Sequence, residues 1–375
     1  MSGSRKILLI VSEFPPGPGG IGNHAFNLAK YLNLNGCDVT VLTISDFAEE
    51  KEQKNFDSSQ KFEIFRFKRY DSRLKTTAGR LKSIRQYLNK EKYSHVIFSG
   101  RYPLMTSVFL NKYHKHLKFI SIVHGGDVNS DNAIEKYLIK KALQKSDLII
   151  PVSNFSGSFI DKGISKEKIK VIPNGFDLDN IDQLKVSEKS LVNGSLNLIT
   201  VGTVWPRKGH HNVLNAFPEI INLFPETKYN IAGRLADLSK IEKLIESDRF
   251  KDHLNLLGPV SNKEKIELLN GSQIFILLSE SQSSGDFEGF GIAVLEANYF
   301  GLPAIGSFKS GLEDSIKNGY SGVLVDPKNK GEILEALKTI AADYRKFSEG
   351  AKEWAAQHHW SNIIKRYLKE IEGLK

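Results

Sequence analysis

The sequence holds one cysteine, Cys37, among 375 residues, so it can close no intrachain disulfide and offers no cysteine cluster for zinc. A reducing cytosol is the compartment this usage fits most simply. No apolar run approaches the ~20 residues needed to cross a bilayer. The first apolar run, Ile7–Val11, is too short for a signal-peptide core and no small-residue cleavage site follows. The expectation is a cytoplasmic chain, neither exported by that route nor integral to a membrane. Low-complexity segments and short-period repeats are also missing. No histidine pair has the HExxH spacing of a zinc site, and His114, His116, His210, His211, His358 and His359 read as surface or local-packing residues.

What is present suits a globular chain of two domains, with 40% apolar and 25% charged residues. Lys and Arg number 52 against 43 Asp and Glu, a net +9. The excess is uneven: Lys61–Lys92 contains eleven basic and three acidic residues. Such a stretch is either a solvated basic face or a surface for anionic lipid or a polyanionic acceptor. No nucleic-acid-binding motif accompanies it, so nucleic acid is not expected as a partner.

Apolar runs of strand length alternate with amphipathic stretches of helix length, the pattern of parallel βαβ units. In the first half, strands are expected at Lys6–Val11, Asp38–Ile44, Ser94–Phe98, Phe119–Val123 and Asp147–Val152. Helices are expected at Asn23–Leu34, Ala78–Leu88, Ala133–Leu143 and Asn154–Ile160. In Ala78–Leu88, Leu81, Ile84 and Leu88 make one core-facing stripe and leave Arg80, Lys82 and Arg85 towards water. The second half repeats the plan, with strands at Leu196–Val201, Lys228–Ala232, Leu254–Leu257, Gln273–Leu278 and Gly322–Val325. Its helices are expected at His210–Leu223, Ser239–Ile245, Lys263–Leu269, Ile292–Phe300, Glu332–Ala341, Phe347–Gln357 and Trp360–Ile371. The polar stretch Asp177–Asn193 is the expected linker. Two doubly wound α/β domains imply a cleft between them, with ligands outside the carboxyl ends of strands.

Four strand-to-helix loops carry candidate chemistry. In the first, Glu13-Phe-Pro-Pro-Gly17-Pro-Gly19-Gly20-Ile-Gly22, Gly19 and Gly20 leave amides unshielded before a helix. Gly17, Gly19 and Gly22 also satisfy G-x-G-x-x-G, with Asp46 near the end of the next strand, so a dinucleotide-binding dehydrogenase is an alternative. Against it, five residues separate the apolar strand from the first glycine. In the second, His124-Gly-Gly-Asp127 follows a strand expected to be central, where a histidine could meet a ligand at short range or simply be structural. In the third, Arg207 and Lys208 stand at a helix start, where two cations oppose the helix dipole. A bound diphosphate would reverse that penalty, and an ordinary exposed basic loop is the other reading. The fourth runs from Ser281 through Gly285 and Glu288 to Glu296. Gly289 and Gly291 open a helix whose amides at Phe290 to Ile292 would point at an anion. Glu296 lies among Ala293, Val294, Leu295 and Ala297, a carboxylate that needs a partner, and ligand hydroxyls would serve. Glu288 is the weaker inference, because acids near helix starts are common for dipole reasons alone.

Taken together, these segments resemble glycosyltransferase family 4, retaining enzymes of the GT-B fold, over nearly the whole chain and in the family's order. The Glu288/Glu296 pair at E-x7-E spacing is the most specific element. Gly19–Ile21, His124–Asp127, Pro173-Asn-Gly175, Arg207-Lys208-Gly209 and the closing segment from Trp360 to Leu368 support it. The resemblance implies two Rossmann-like domains facing across a cleft. Residues 1–180 would bind the acceptor and 194–357 the nucleotide-sugar, with a helix at 358–375 crossing back to the first domain. Arg207 and Lys208 would neutralise the donor diphosphate, and Glu296 would hold the ribose. Glu288, with the amides of Gly289, Phe290, Gly291 and Ile292, would hold sugar and phosphate. Gly202 and Val260 would complete the donor site, Gly19 and Gly20 would close over the phosphates, and His124 would lie beside the sugar. Many members carry an arginine after the glycine matching Gly202, whereas here the residue is Thr203, which shifts the diphosphate's charge onto Arg207 and Lys208.

The reaction implied is metal-independent, retaining transfer from a UDP- or GDP-sugar to a glycan or lipid-linked glycan in envelope polysaccharide synthesis. No cofactor is implied, since the nucleotide-sugar is a substrate. Asp177-Leu-Asp179 fits a DxD pattern but reads as structural. A non-catalytic sugar-nucleotide-binding protein is a further alternative, and the Lys61–Lys92 stretch suggests docking on the inner face of the cell membrane.

Overall fold

A computed structural model describes residues 5–17, 19–44, 48–110, 117–178, 186–188, 190–191, 195–246, 250–283 and 285–374. Asp46, His114, His116, Asp179, Ser284 and most of the expected linker lie outside the described residues. The chain divides into two compact units: Met1–Asn174 with Trp360–Lys375, and Gly175–His359.

The first unit's sheet is built from β1 (Lys6–Val11), β2 (Asp38–Ile44), β3 (Glu63–Phe67), β4 (His95–Ser99), β5 (Lys118–Val123) and β6 (Leu148–Pro151). All pairings are parallel, in the order β3-β2-β1-β4-β5-β6. The central strands read Lys-Ile-Leu-Leu-Ile-Val and His-Val-Ile-Phe-Ser because both faces are covered, and a strand buried on both sides has no polar face to alternate with. The covering helices are α1 (Gly20–Leu34), α2 (Glu50–Ser58), α3 (Arg73–Lys90), α4 (Arg101–Leu110), α5 (Ala133–Lys145) and α6 (Asn154–Ser158).

The second unit's sheet comprises β7 (Asn197–Val201), β8 (Lys228–Ala232), β9 (Leu254–Gly258), β10 (Ile274–Leu277), β11 (Ala304–Ser307) and β12 (Gly322–Val325). It is also parallel, ordered β12-β11-β10-β7-β8-β9. Its helices are α7 (His210–Leu223), α8 (Glu242–Ile245), α9 (Asn262–Gly271), α10 (Ile292–Tyr299), α11 (Leu312–Ser315), α12 (Lys330–Ala342) and α13 (Tyr344–Gln357). The last helix, α14 (Trp360–Gly373), returns to the first unit. Its Trp360, Ile363, Ile364, Tyr367 and Ile371 recur on one face and are buried. Arg366 donates to the Val171 carbonyl at 2.9 Å.

In each sheet the connections wind in opposite senses from two adjacent strands, β1 and β4 in the first and β7 and β10 in the second. At such a switch point the loops leaving the carboxyl ends of the two strands run to opposite sides, which is where open α/β sheets place their ligand crevice.

The basic stretch needs one correction. Arg66 does not join a solvent-facing basic surface, because its guanidinium forks onto Asp57 at 2.8 and 2.7 Å and is nearly buried. Lys68, Arg69, Lys75, Lys82 and Arg85 are exposed, whereas Arg80 is half-buried, 5.8 Å over the Tyr102 ring. No helix among the described residues is long and apolar enough to cross a membrane.

Candidate functional site

The second unit's crevice is shaped by glycines at the ends of β7 and β10. After β7 the chain turns at Gly202, and the Lys208 ammonium lies 3.8 Å from where a Cβ on Gly202 would stand. A short turn over Pro206–Lys208 then ends on Gly209 with φ +69°. A Cβ there would lie 1.6 Å from the Leu278 carbonyl oxygen, so the loop after β7 sits directly on the end of β10. The Glu280 N–H donates to the Arg207 carbonyl at 2.8 Å, tying the two loops together. Gly209→Ala adds a left-handed penalty and a collision with backbone. It is expected to cost about 2–4 kcal/mol, read as a lowered urea midpoint.

This tie aims both cations at one carboxylate. Glu288 Oε2 accepts from Arg207 Nη1 at 3.0 Å and from Lys208 Nζ at 2.5 Å, and Arg207 Nε lies 2.9 Å from Asp286 Oδ2. Burial alone would push the Glu288 carboxyl up. Lys208 and Arg207 outweigh it and hold the carboxyl at about 2. Burial likewise works against the Arg207 charge, and Glu288 and Asp286 more than restore it. Glu288, the weaker of the two acids on sequence grounds, is therefore the hub of a buried charge network. Its spacing to Glu296 was legible, whereas its contact with Arg207 spans 81 residues and carries no local signal. Asp286 was missed for the same reason.

The next turn is equally constrained. A Cβ on Gly311 would sit 2.1 Å from the Gly289 carbonyl oxygen, and the Gly311 N–H donates to the Glu288 carbonyl at 2.8 Å. Gly291, at φ +87°, starts α10. Phe290 packs into the core at 2% exposure while Ile292 is half-buried. Glu296 is buried on α10, and its partner is Lys265 of α9, whose Nζ is 3.0 Å from Oε1. A protein cation thus meets a need that sequence reasoning had assigned to ligand hydroxyls. Val260 follows β9, half-buried.

In the first unit, Gly19 and Gly20 are exposed at the amino end of α1. The anion position there is taken by Glu13, whose carboxylate accepts the Gly22 N–H and lies 2.2 Å from where a Gly19 Cβ would be. Burial and then the Asp127 charge push the Glu13 carboxyl above its usual range. The connection from β1 to α1 runs over residues 12–19, so no glycine turn follows the strand directly, as a dinucleotide fingerprint requires.

His124 follows β5. Its Nε2 is 2.8 Å from Ser99 Oγ, at the end of β4, and its backbone N–H donates to Asp127 Oδ2 at 2.9 Å. Burial pushes the His124 imidazole down to about 3, so it is neutral near pH 7. Arg101 Nη2 donates to the Gly126 carbonyl, and Arg101 Nη1 pairs with Glu135 at 3.3 Å, holding the His124–Asp127 turn. Burial raises the Asp127 carboxyl to about 6, against the His124 N–H and Arg101. Because the unfolded chain releases this proton near pH ~4 and the folded one near 6, the folded state binds more protons in between. Stability is therefore expected to fall as pH rises from about 4 to 6. A series of urea midpoints across that range should show this component vanish in Asp127→Asn.

Asp177 lies 3.7 Å from His359 within the second unit, a structural contact.

Residues 18–180 match the family model Glycosyltransferase Family 4, and residues 182–356 match Glycosyl transferases group 1. WcaL of Salmonella typhimurium, named for colanic acid biosynthesis as a glycosyltransferase, is 27% identical over 222 residues. The match spans 58% of this chain and 54%, about half, of that protein. A GDP-mannose-dependent monoacylated alpha-(1-6)-phosphatidylinositol monomannoside mannosyltransferase of Corynebacterium glutamicum is 23% identical over 373 residues, 96% of each chain. Among solved structures, HepE of Anabaena in complex with UDP and glucose superposes with a TM-score of 0.76 at 18% identity, covering 98% of this chain and 100% of that one. With residues 18–180 and 182–356 each matched by a family model, the chain belongs to glycosyltransferase family 4.

Proposed function

We propose that this chain transfers a sugar from a nucleotide diphospho-sugar, with UDP or GDP as the nucleotide, to a glycan or lipid-linked glycan acceptor. The observation that carries the reading is the convergence of Arg207 and Lys208 on a single carboxylate oxygen at the β7/β10 crevice. Two cations held that close are arranged to share one anion. A departing diphosphate, whose negative charge grows in the transition state, is the anion this reaction makes. Arg207 would fork two of its oxygens and Lys208 act as a point charge, without a metal ion. Glu296, oriented by Lys265, would accept the ribose hydroxyls, and Glu288 with the turn at Gly289–Ile292 would meet the donor sugar. The first unit would bind the acceptor, with neutral His124 as a hydrogen-bonding group for the transferred sugar.

Configuration would be retained by front-face transfer. The bond from the anomeric carbon to the phosphate oxygen breaks, and the bond to the acceptor oxygen forms on the same face. The acceptor proton passes to the departing phosphate. A covalent glycosyl-enzyme trapped on a carboxylate would contradict this route. The roles for which these relatives are named support an acceptor in envelope glycan or glycolipid synthesis, and the exposed cations of α3 would hold the chain against an anionic membrane face. Vesicle sedimentation tests the last point, since binding should rise with anionic lipid and fall with salt.

The direct test is a hydrolysis and transfer panel of UDP-, GDP- and ADP-sugars on the native chain and on Glu296→Ala. One nucleotide should dominate and the variant should raise its KM. Equal inactivity with every donor would reject the reading.

A further inference from the structure

Behind the half-buried His124 lies a fully buried histidine that none of the proposed chemistry uses. His24, on α1, is fully buried, and its ring meets the His124 ring edge-on at 4.8 Å between centroids and 80° between planes. Its Nε2 is 2.9 Å from the Tyr367 hydroxyl, on α14, 343 residues away. Trp360, from the same helix, backs the cluster, its ring 5.2 Å from His24 and stacked at 6.1 Å on both Tyr31 and Tyr367. His24 Nδ1 has no hydrogen-bond partner among the described residues. A buried polar nitrogen left unpaired is costly, and a phenylalanine would fill the same space without that cost. The imidazole therefore earns its place through the hydrogen bond it does make.

That bond fixes the plane of the His24 ring, and the edge-on contact passes the constraint to His124. Because Ser99 engages Nε2, a hydrogen bond from the His124 ring to a substrate would have to use Nδ1. A ring held at one nitrogen still pivots about that bond, and a wall on its flank stops the pivot. We infer that His24 and Tyr367 are positioning residues for His124, the last helix holding His24 as the rigid wall that fixes the His124 imidazole for the transferred sugar. The inference rests on the role proposed for His124.

The test is a double-mutant cycle on the full chain with the donor and acceptor that the panel identifies. Tyr367→Phe removes one oxygen and keeps the packing. It should lower kcat about tenfold, leave both KM values within twofold, and shift the His124 ring nitrogen resonances. In a His124→Ala background the same change should have no effect on residual turnover. A Tyr367→Phe enzyme with unchanged kcat overturns the inference. So does an equal fractional loss in both backgrounds, which would mark Tyr367 as merely structural. A His124→Ala enzyme as fast as the native chain would instead remove the role of His124 itself. His24→Gln, which keeps a polar group of similar length, checks the middle of the relay. It should lower kcat in the native background only.

Discussion

Lys208→Ala is expected to lower kcat/KM for sugar transfer by about 10²–10³-fold, the loss typical when one preorganised group facing developing negative charge is removed. The Lys208 ammonium is 2.5 Å from Glu288 Oε2, and its side chain is 16% exposed, so little water screens it. Thr203, directly after Gly202, is uncharged and cannot compensate for the lost ammonium. Arg207 alone would remain, still 3.0 Å from Glu288 and tied to Asp286. For that reason the variant should fold: the buried carboxylate keeps one cation. Steady-state kinetics with saturating acceptor, together with a thermal melt, separate the two effects. A variant that melts like the native chain and turns over like it would show that Lys208 meets no charge in the transition state.

Glu288→Gln should behave in the opposite way, with stability hit hardest. A carboxyl held at about 2 by its cations, against an unfolded value near ~4.3, corresponds to roughly 3 kcal/mol of stabilisation near neutral pH. Because the folded value is depressed, this contribution is complete above about pH 4.3 and is lost as pH falls towards 2. The native chain and Glu288→Gln should therefore differ most at pH 7 and converge in acid. Removing the carboxylate also leaves Arg207 and Lys208 close together without their shared counter-charge. A nucleoside diphosphate supplies that charge, so UDP or GDP should raise the melting temperature of the variant more than that of the native chain. Equal ligand-induced shifts would mean that diphosphate and Glu288 do not share the two cations.

Resident carboxylates also mark where sequence reasoning stopped. The apolar strands β1 and β2, and helix α7, were legible because burial on both faces or a strong 3.6-residue period leaves a local imprint. Strand β3, Glu-Ile-Phe-Arg-Phe, was hidden inside the basic stretch: it is a half-exposed edge strand whose Arg66 serves Asp57. Helix α2 escaped because its sequence is almost entirely polar, α4 because Pro103 interrupts its start, and β11 because Ala-Ile-Gly-Ser is short and follows Pro303. In the candidate site, residue types and the family resemblance singled out Arg207, Lys208, Glu288 and Glu296. Their partnerships were another matter. That Glu13 caps α1, that Lys265 meets Glu296, and that Tyr367 reaches His24 are tertiary facts between residues far apart in the chain. The Glu288–Arg207–Lys208 arrangement also changes how Thr203 is read. Both cations already reach one point, so the missing arginine does not leave the crevice without paired positive charge.

The central claim is that the second unit grips the diphosphate of its donor through Arg207 and Lys208. Calorimetric titration of the native chain and Lys208→Ala with UDP, GDP and ADP, and with the matching monophosphates, tests it most directly. One nucleoside diphosphate should bind at least about tenfold more tightly than its monophosphate, a difference of about 1.4 kcal/mol. Lys208→Ala should weaken this preference, with Arg207 left as the one cation on the diphosphate. A native chain that binds monophosphate and diphosphate equally, or a Lys208→Ala variant that keeps the full preference, would contradict it.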